Sequence, residues 1–457
     1  MAESETGMMD NFSNIIGYED EKKVLRQLAD MCRNPKKYDA LGVTIPHGVV
    51  LYGKPGLGKT VMAEDFLKET GRTFFVLRKD VSKEEFMARI TKVFQDAAKS
   101  QPSVILLDDM DKFGSGKNSE EYVMIQSLMD AVQDKNVFLI ATANSIYDFP
   151  VSLLRNGRID SEIEILPPTQ PVAEKIIQYY LSSKKISRDI NYKTLSMILE
   201  GESCAYLEGI LNQAGISAAY EGREEISMDD IVKAILQEKI DSNCKLSDTS
   251  PSSGNVREVA YHEAGHLAAG LLGGNEYMVL SFLEKGTKGD YSNSGSTDTV
   301  SKEPTSVSQE NMEKKIREIL GGMVAIDIRF GKIDVGASED IKSAKCCILN
   351  MVGLYGCTGL SRTFCLTSGN NSIRDTVLET AIQGKWDEEY AKTKLLLKEN
   401  WSLVESLTEA LLQKRYLVYN EIQDIYARYL ARKNCCSSMN PDYSSIADKK
   451  RENRIRG

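Results

Sequence analysis

Four short stretches are apolar from end to end rather than at every second position: GVVLYG at 48–53, TFFVL at 73–77, SVILLDD at 103–109 and VFLIATAN at 137–144. A strand with one wet face alternates apolar and polar residues. Unbroken runs predict strands buried on both faces, as in a parallel sheet. Helix-patterned segments separate the runs, so the block 11–168 is expected to be a parallel sheet with helices on both faces. LPPTQP at 166–171 ends that alternation, and residues 169–240 keep helical spacing throughout, the pattern of a small bundle. The stretch 241–255, DSNCKLSDTSPSSGN, is polar and rich in Ser, Asp and Pro, which predicts a linker. The block 256–433 opens on the helical pattern YHEAGHLAAGLL and closes on long helices such as EEYAKTKLLLKENWSLVESLTEALLQKR. Residues 1–10 and 434–457 read as flexible ends. No internal repeat is present.

Composition narrows the class. At 457 residues the chain is too long for one ordinary domain. Its 42% hydrophobic and 27% charged residues are proportions of a globular protein. The net charge of −9 leaves no surplus of cations for phosphates, which argues against nucleic acid as a partner. A short basic tail (Lys449, Lys450, Arg451, Arg454, Arg456) is the exception and reads as a solvated end. Nine cysteines, with adjacent pairs at Cys346–Cys347 and Cys435–Cys436, show no metal-clamp spacing and predict reduced thiols in the cytoplasm. MAESETGMMD lacks the apolar core of a signal peptide. No apolar run approaches the ~18 residues that span a bilayer. A cytoplasmic chain without its own membrane span is expected.

Two sets of residues carry chemistry. GKPGLGKT, at Gly53, Lys54, Pro55, Gly56, Leu57, Gly58, Lys59 and Thr60, follows a strand and precedes a helix pattern, the context of a phosphate-binding loop. Its glycines let backbone amides approach the phosphates of ATP. Lys59 supplies a cation, Thr60 a ligand for Mg2+, and the helix start its positive dipole end. The strand SVILLDD presents Asp108 to the magnesium shell and Asp109 to the attacking water, with aspartate where glutamate is commoner. Asn144, ending VFLIATAN, is placed to sense the γ-phosphate. Arg155 and Arg158 in LLRNGRID follow in the order expected of arginine fingers, which reach a neighbouring subunit's nucleotide and imply a ring.

The second set is on YHEAGHLAAGLL. The chain has only three histidines; His262 and His266 are four residues apart, on one face of a helix, and His47 is the third. Two imidazoles at that spacing can hold one zinc ion while Glu263 reaches the zinc-bound water, whose pKa falls to ~7. Glu263 then takes its proton and passes it to a leaving amine. A catalytic zinc takes three protein ligands. No further histidine is near, so a carboxylate completes the set. Spacing alone ranks Asp340 no higher than Asp334 or Glu339, either of which also suits a helix N-terminus.

Taken together, NFSNIIGYEDEKKVLRQL, NPKKYDALGVTIPHGVVLYGKPGLGKT, LLRNGRID, AYHEAGH, LGGMVAIDIRFG and GASEDIKSAKCCILNMV resemble the FtsH family of AAA+ ATP-dependent zinc metalloproteases over residues 11–432. The resemblance implies an α/β AAA+ domain with a small helical lid, followed by a mainly α-helical metallopeptidase domain. It implies Asp340 as the third zinc ligand, Gly17 at the nucleotide site, and Zn2+, ATP and Mg2+ as cofactors. It also implies a homo-hexamer that threads protein substrates into a proteolytic chamber. Against the family pattern, the chain starts almost directly at the ATPase, without membrane-spanning segments, so a membrane adaptor is left open. The substrate-gripping loop, normally aromatic-hydrophobic-glycine, reads Phe86, Met87 and Ala88, and the signalling triplet DGF reads Asp130, Ala131, Val132. The alternative reading is an ATP-driven remodeller or nucleotide-gated ring with weak or uncoupled proteolysis.

Overall fold

The computed structural model describes residues 11–148, 150–239, 244–246, 254–275, 278–286, 293–299, 308–332, 337–357 and 372–438. Asp334, residues 1–10 and the basic tail lie outside them. The chain divides into two compact units, Met1–Ala234 and Ile235–Gly457. The expected sheet block and most of the expected helical bundle therefore share one unit.

In the first unit β1 (Gly48–Tyr52), β2 (Thr73–Leu77), β3 (Ser103–Leu107), β4 (Val137–Ala143) and β5 (Ser161–Glu164) form a parallel sheet in the order β2-β3-β4-β1-β5. The four apolar runs are β1 to β4. Their residues go alternately to two cores: Val50, Ile105, Leu107, Leu139 and Ala141 to one face, Val49, Leu51, Val104, Leu106, Phe138 and Ile140 to the other. Two buried faces are why the central strands β1, β3 and β4 are apolar apart from Ser103 and Thr142, whereas β2, at an edge of the sheet, is partly exposed. The edge strand β5 lacks such a run because its burial alternates.

Helices α1 (Glu19–Arg33), α2 (Pro35–Asp39) and α3 (Lys59–Thr70) precede or follow β1; α4 (Lys83–Lys99) and α5 (Glu120–Val132) flank β3 in the chain. From α1 and α3, Leu25, Leu28, Met62 and Phe66 fill one core. From α4 and α5, Phe86, Ile90, Phe94, Tyr122, Ile125 and Met129 fill the other. The Ser82 side chain caps α4 by accepting from the Glu85 amide, and Phe86, Ile90, Phe94 and Ala97 recur along one buried stripe. Four more helices follow: α6 (Gln170–Ser182), α7 (Tyr192–Ile198), α8 (Cys204–Tyr220) and α9 (Met228–Lys239).

The second unit is built on α10 (Gly254–Leu272), α11 (Gln309–Phe330), α12 (Ser338–Leu349), α13 (Ser372–Glu399), α14 (Trp401–Lys414) and α15 (Tyr419–Ser438). Where α10 and α11 cross, a Cβ at Gly265 would collide with the Gly321 carbonyl, and one at Gly321 with that of Gly265. Glycine at both positions is what allows the backbones to meet. The buried Glu389 carboxylate of α13 is balanced by Arg317 of α11 at 2.7 Å, Lys385 at 2.9 Å and Lys392 at 3.0 Å. Removing one of these cations would leave a buried charge underpaired.

One expectation needs correction here. The polar stretch read as a linker contributes a strand, β6 (Cys244–Leu246); farther along the chain come β7 (Met278–Gly286) and β8 (Asn293–Thr299). With β9 (Tyr416–Val418), these make an antiparallel sheet in which β7 pairs with the other three. β8 reads NSGSTDT and holds no apolar residue. It is held by backbone pairing to β7, and side-chain patterning has nothing to report. Among the described residues, no helix is long and apolar enough to cross a membrane.

Candidate functional sites

In the first unit the carboxyl ends of β1, β3 and β4 converge on the loop 53–60. Gly53 has φ +148°, and a Cβ there would collide with the Ile165 carbonyl. Lys54, Pro55 and Gly56 are exposed, Leu57 is buried beneath them as the anchor of the loop, and Gly58 leads into α3. Inside the loop, Lys59 Nζ donates to the carbonyls of Gly53 at 2.7 Å and Lys54 at 2.8 Å, and to Asn144 Oδ1 at 3.1 Å. Burial pushes its pKa down, against the nearby carboxylates. Asn144 in turn donates to Asp111 Oδ2 at 3.1 Å. Thr60 Oγ1 donates to Asp108 Oδ1 at 2.9 Å, and Thr142 Oγ1 to the same oxygen at 2.7 Å. A lysine, a hydroxyl, a carboxylate and an amide thus meet at one sheet edge, the place where open α/β sheets bind ligands. The donor set fits a magnesium nucleotide.

Asp109 departs from the expected picture in its backbone. It has φ +55°, its amide donates to Thr142 Oγ1 at 2.8 Å, and its carboxylate pairs with Lys112 Nζ at 2.7 Å. Gly17 (φ +75°) precedes Tyr18, whose hydroxyl donates to the Leu166 carbonyl at 3.1 Å and meets Cys204 Sγ at 3.7 Å. A Cβ on Gly17 would collide with Val172. The two arginines differ in setting. Arg155 is exposed, whereas Arg158 is tied to Asp130 by Nε at 2.7 Å and Nη2 at 2.9 Å.

Phe86 and Met87 correct the expectation of a substrate-gripping pair. Phe86 is 0% exposed and meets the Phe113 ring edge-on at 5.0 Å between centroids. Met87 packs against the same core. Both belong to α4, whose apolar stripe faces the sheet, so the Phe86 ring is not available to a passing polypeptide.

In the second unit α10 presents His262, Glu263 and His266. Their partner is Asp340, in the first turn of α12. His262 Nε2 and His266 Nε2 are 3.0 Å apart, and Asp340 Oδ2 lies 3.1 Å from the first and 3.4 Å from the second. A tetrahedral zinc with bonds of ~2.0–2.1 Å separates its ligand atoms by roughly 3.3 Å. The three donors therefore match a shared cation, and they are the only such group found among the described residues. Glu339, the neighbouring alternative, is exposed and pairs with Lys342. His266 Nδ1 lies 2.9 Å from the Glu318 carbonyl of α11; donating there directs Nε2 at the metal position. Burial works to raise the Asp340 carboxyl, but hydrogen bonds from His262 and His266 outweigh it and hold the group well below the usual carboxylate range.

Glu263 is 3% exposed, and burial pushes its carboxyl up. Thr297 Oγ1 of β8 donates to Glu263 Oε2 at 2.6 Å and lies 2.9 Å from Ser281 Oγ of β7. Sequence reasoning missed Thr297 and Ser281, since neither sits in a motif. It missed Asp111 and Lys112 for the same reason, and it passed over Thr142 although that residue lies within the quoted run VFLIATAN.

Residues 49–166 match the model of the ATPase family associated with various cellular activities, and residues 250–425 match peptidase family M41. The ATP-dependent zinc metalloprotease FtsH 3 of Phytoplasma mali is 29% identical over 436 residues, covering 91% of this chain and 70% of that protein. The ATP-dependent zinc metalloprotease FtsH of Acholeplasma laidlawii is 29% identical over 447 residues, 91% and 69% respectively. That of Aster yellows witches'-broom phytoplasma is 30% identical over 438 residues, 91% and 64%.

Proposed function

The chain belongs to the FtsH family of AAA+ zinc metalloproteases, and from that premise we propose how its own residues divide the work on protein substrates. The observation that carries the reading is the convergence of His262, His266 and Asp340 with Glu263 on the same helix. Zinc held by the three supplies Lewis acidity that makes water nucleophilic at neutral pH. Glu263, oriented by Thr297, accepts the proton of the attacking water and returns it to the leaving amine of the peptide.

In the other unit, the cradle of residues 53–60 would hold ATP with Mg2+. Lys59 would meet the phosphates, Thr60 and Asp108 would face the magnesium, Asp109 would orient water and Asn144 would sense the γ-phosphate. Gly17 and Tyr18 border this site. The working form is a homo-hexamer in which Arg155, exposed, reaches the neighbouring nucleotide, while Arg158 is held by Asp130 in its own subunit. Residues 11–168 serve as the large ATPase domain, 169–240 as the lid and 256–433 as the peptidase. The free thiols of Cys32, Cys204, Cys346, Cys347 and Cys357 support a cytoplasmic location.

Casein degradation by size-resolved oligomer, with ATP, with a non-hydrolysable analogue and without nucleotide, tests the coupling. ATP-dependent cleavage is expected. Equal cleavage under all three conditions rejects coupling, and brisk ATP turnover without cleavage favours the remodelling ring. Glu263→Gln should lower proteolysis by ~10²–10⁴, leaving zinc content and ATP turnover unchanged. Persistent cleavage removes Glu263 from its role.

A further inference from the structure

The carboxylate assigned to magnesium already carries a cation of its own chain. Asp108 Oδ1 is taken by the hydroxyls of Thr60 and Thr142, and Asp108 Oδ2 accepts from Arg78 Nε at 2.6 Å. Arg78 also reaches Glu64 Oε1 at 3.1 Å. Glu64 stands one helical turn beyond Thr60 in α3, so the guanidinium is bracketed by two carboxylates on the magnesium side of the cradle.

The sheet dictates this placement. β2 and β3 pair in parallel with Leu77 opposite Leu107, and the Asp108 amide donates to the Leu77 carbonyl at 3.0 Å. The next residue along each strand, Arg78 and Asp108, is therefore level with its neighbour at the same sheet edge. The Asp108 side chain is 7% exposed and that of Arg78 46%, so the pair is only partly screened by solvent.

We propose that Arg78 competes with the divalent cation for Asp108 and so sets the magnesium requirement of the nucleotide site. Two cations drawn to one carboxylate oxygen repel each other, and the guanidinium must leave Oδ2 for a hydrated magnesium ion to take its place. Glu64 gives the displaced guanidinium a second carboxylate to hold, which makes the exchange reversible without a loose charge. The inference rests on the nucleotide reading proposed for residues 53–60.

Equilibrium binding of a fluorescent ATP analogue to the full chain, titrated with Mg2+, tests it. Arg78→Ala should lower the Mg2+ midpoint by roughly tenfold, the size of a charge-assisted hydrogen bond partly screened by solvent. Arg78→Lys, which keeps the charge but not the planar fork, should shift the midpoint the same way by less. It carries the test if the alanine variant folds poorly. At saturating Mg2+ the analogue's affinity should stay within about twofold of the parent. An unshifted midpoint in both variants overturns the proposal. Weaker binding of Arg78→Ala at saturating Mg2+ also overturns it, because Arg78 would then be a phosphate ligand. If the parent chain binds no analogue at any Mg2+ concentration, it is the nucleotide reading itself that fails.

Discussion

A Cβ added at Gly322 would lie 2.5 Å from His266 Nε2 and 2.7 Å from His262 Nε2. Glycine there lets α11 pass directly beneath the imidazoles, and its neighbour Gly321 serves the crossing with α10. Gly322→Ala is expected to displace the histidines and weaken zinc binding by about 10–100-fold, the usual effect of disturbing a ligand's supports. Metal analysis after dialysis checks this, and full zinc retention would show that the rings can shift. Thr297 acts on the base instead of the metal. Thr297→Val keeps the shape but removes the donor to Glu263, so kcat should fall by about 10–100-fold with zinc content unchanged. A normal kcat would mean that Glu263 is held by its packing alone. Within these sites, the phosphate loop and the paired histidines were legible in the sequence because their spacing is short and local. Thr297 was not, since its bond to Glu263 joins residues 34 apart across a helix and a strand.

Among the elements, α4 shows how one periodicity supports two readings. Phe86 stands after the β2 strand, where a substrate-gripping residue was expected, yet it also opens the stripe Phe86, Ile90, Phe94 and Ala97. The stripe prevails because burying a phenylalanine against Phe113 and the sheet outweighs any local tendency to loop out. Phe86→Ala should cost about 3–5 kcal/mol of unfolding free energy in the first unit, measured by denaturant titration. A change below about 0.5 kcal/mol would indicate a surface residue. Strands divide in the same way. β1, β3 and β4 announce themselves because both faces are buried, whereas β8 holds no apolar residue and is a strand only because β7 offers it hydrogen-bonding partners.

At the level of the whole molecule, each unit has its own core and its own set of candidate ligand-binding residues. Magnesium with an ATP analogue should stabilise the first unit by about 2.7 kcal/mol at a hundredfold excess over Kd and so raise its melting temperature. Zinc chelation should lower the transition of the second unit alone. Calorimetry with each ligand added or withdrawn separates these effects. A single transition moved equally by both ligands would show that the units melt as one.

Local order was readable from the chain by itself: the doubly covered parallel sheet, the cradle following β1, and the two imidazoles one helical turn apart. Each depends on spacing within a few residues, which strand or helix geometry converts directly into a shared face or edge. Spacing along the chain leaves open which carboxylate joins the imidazoles; the family resemblance points to Asp340, and the folded chain brings Asp340 to them. Asp340 turns inward from α12 while Glu339 turns away to Lys342, two adjacent residues alike in charge and separated by helix orientation. Likewise, Arg78 meets Asp108 through strand register, and Thr297 meets Glu263 through the docking of β8 on β7. Such pairings join positions distant in sequence, and the backbone pairing that creates them leaves no periodic trace in side-chain polarity.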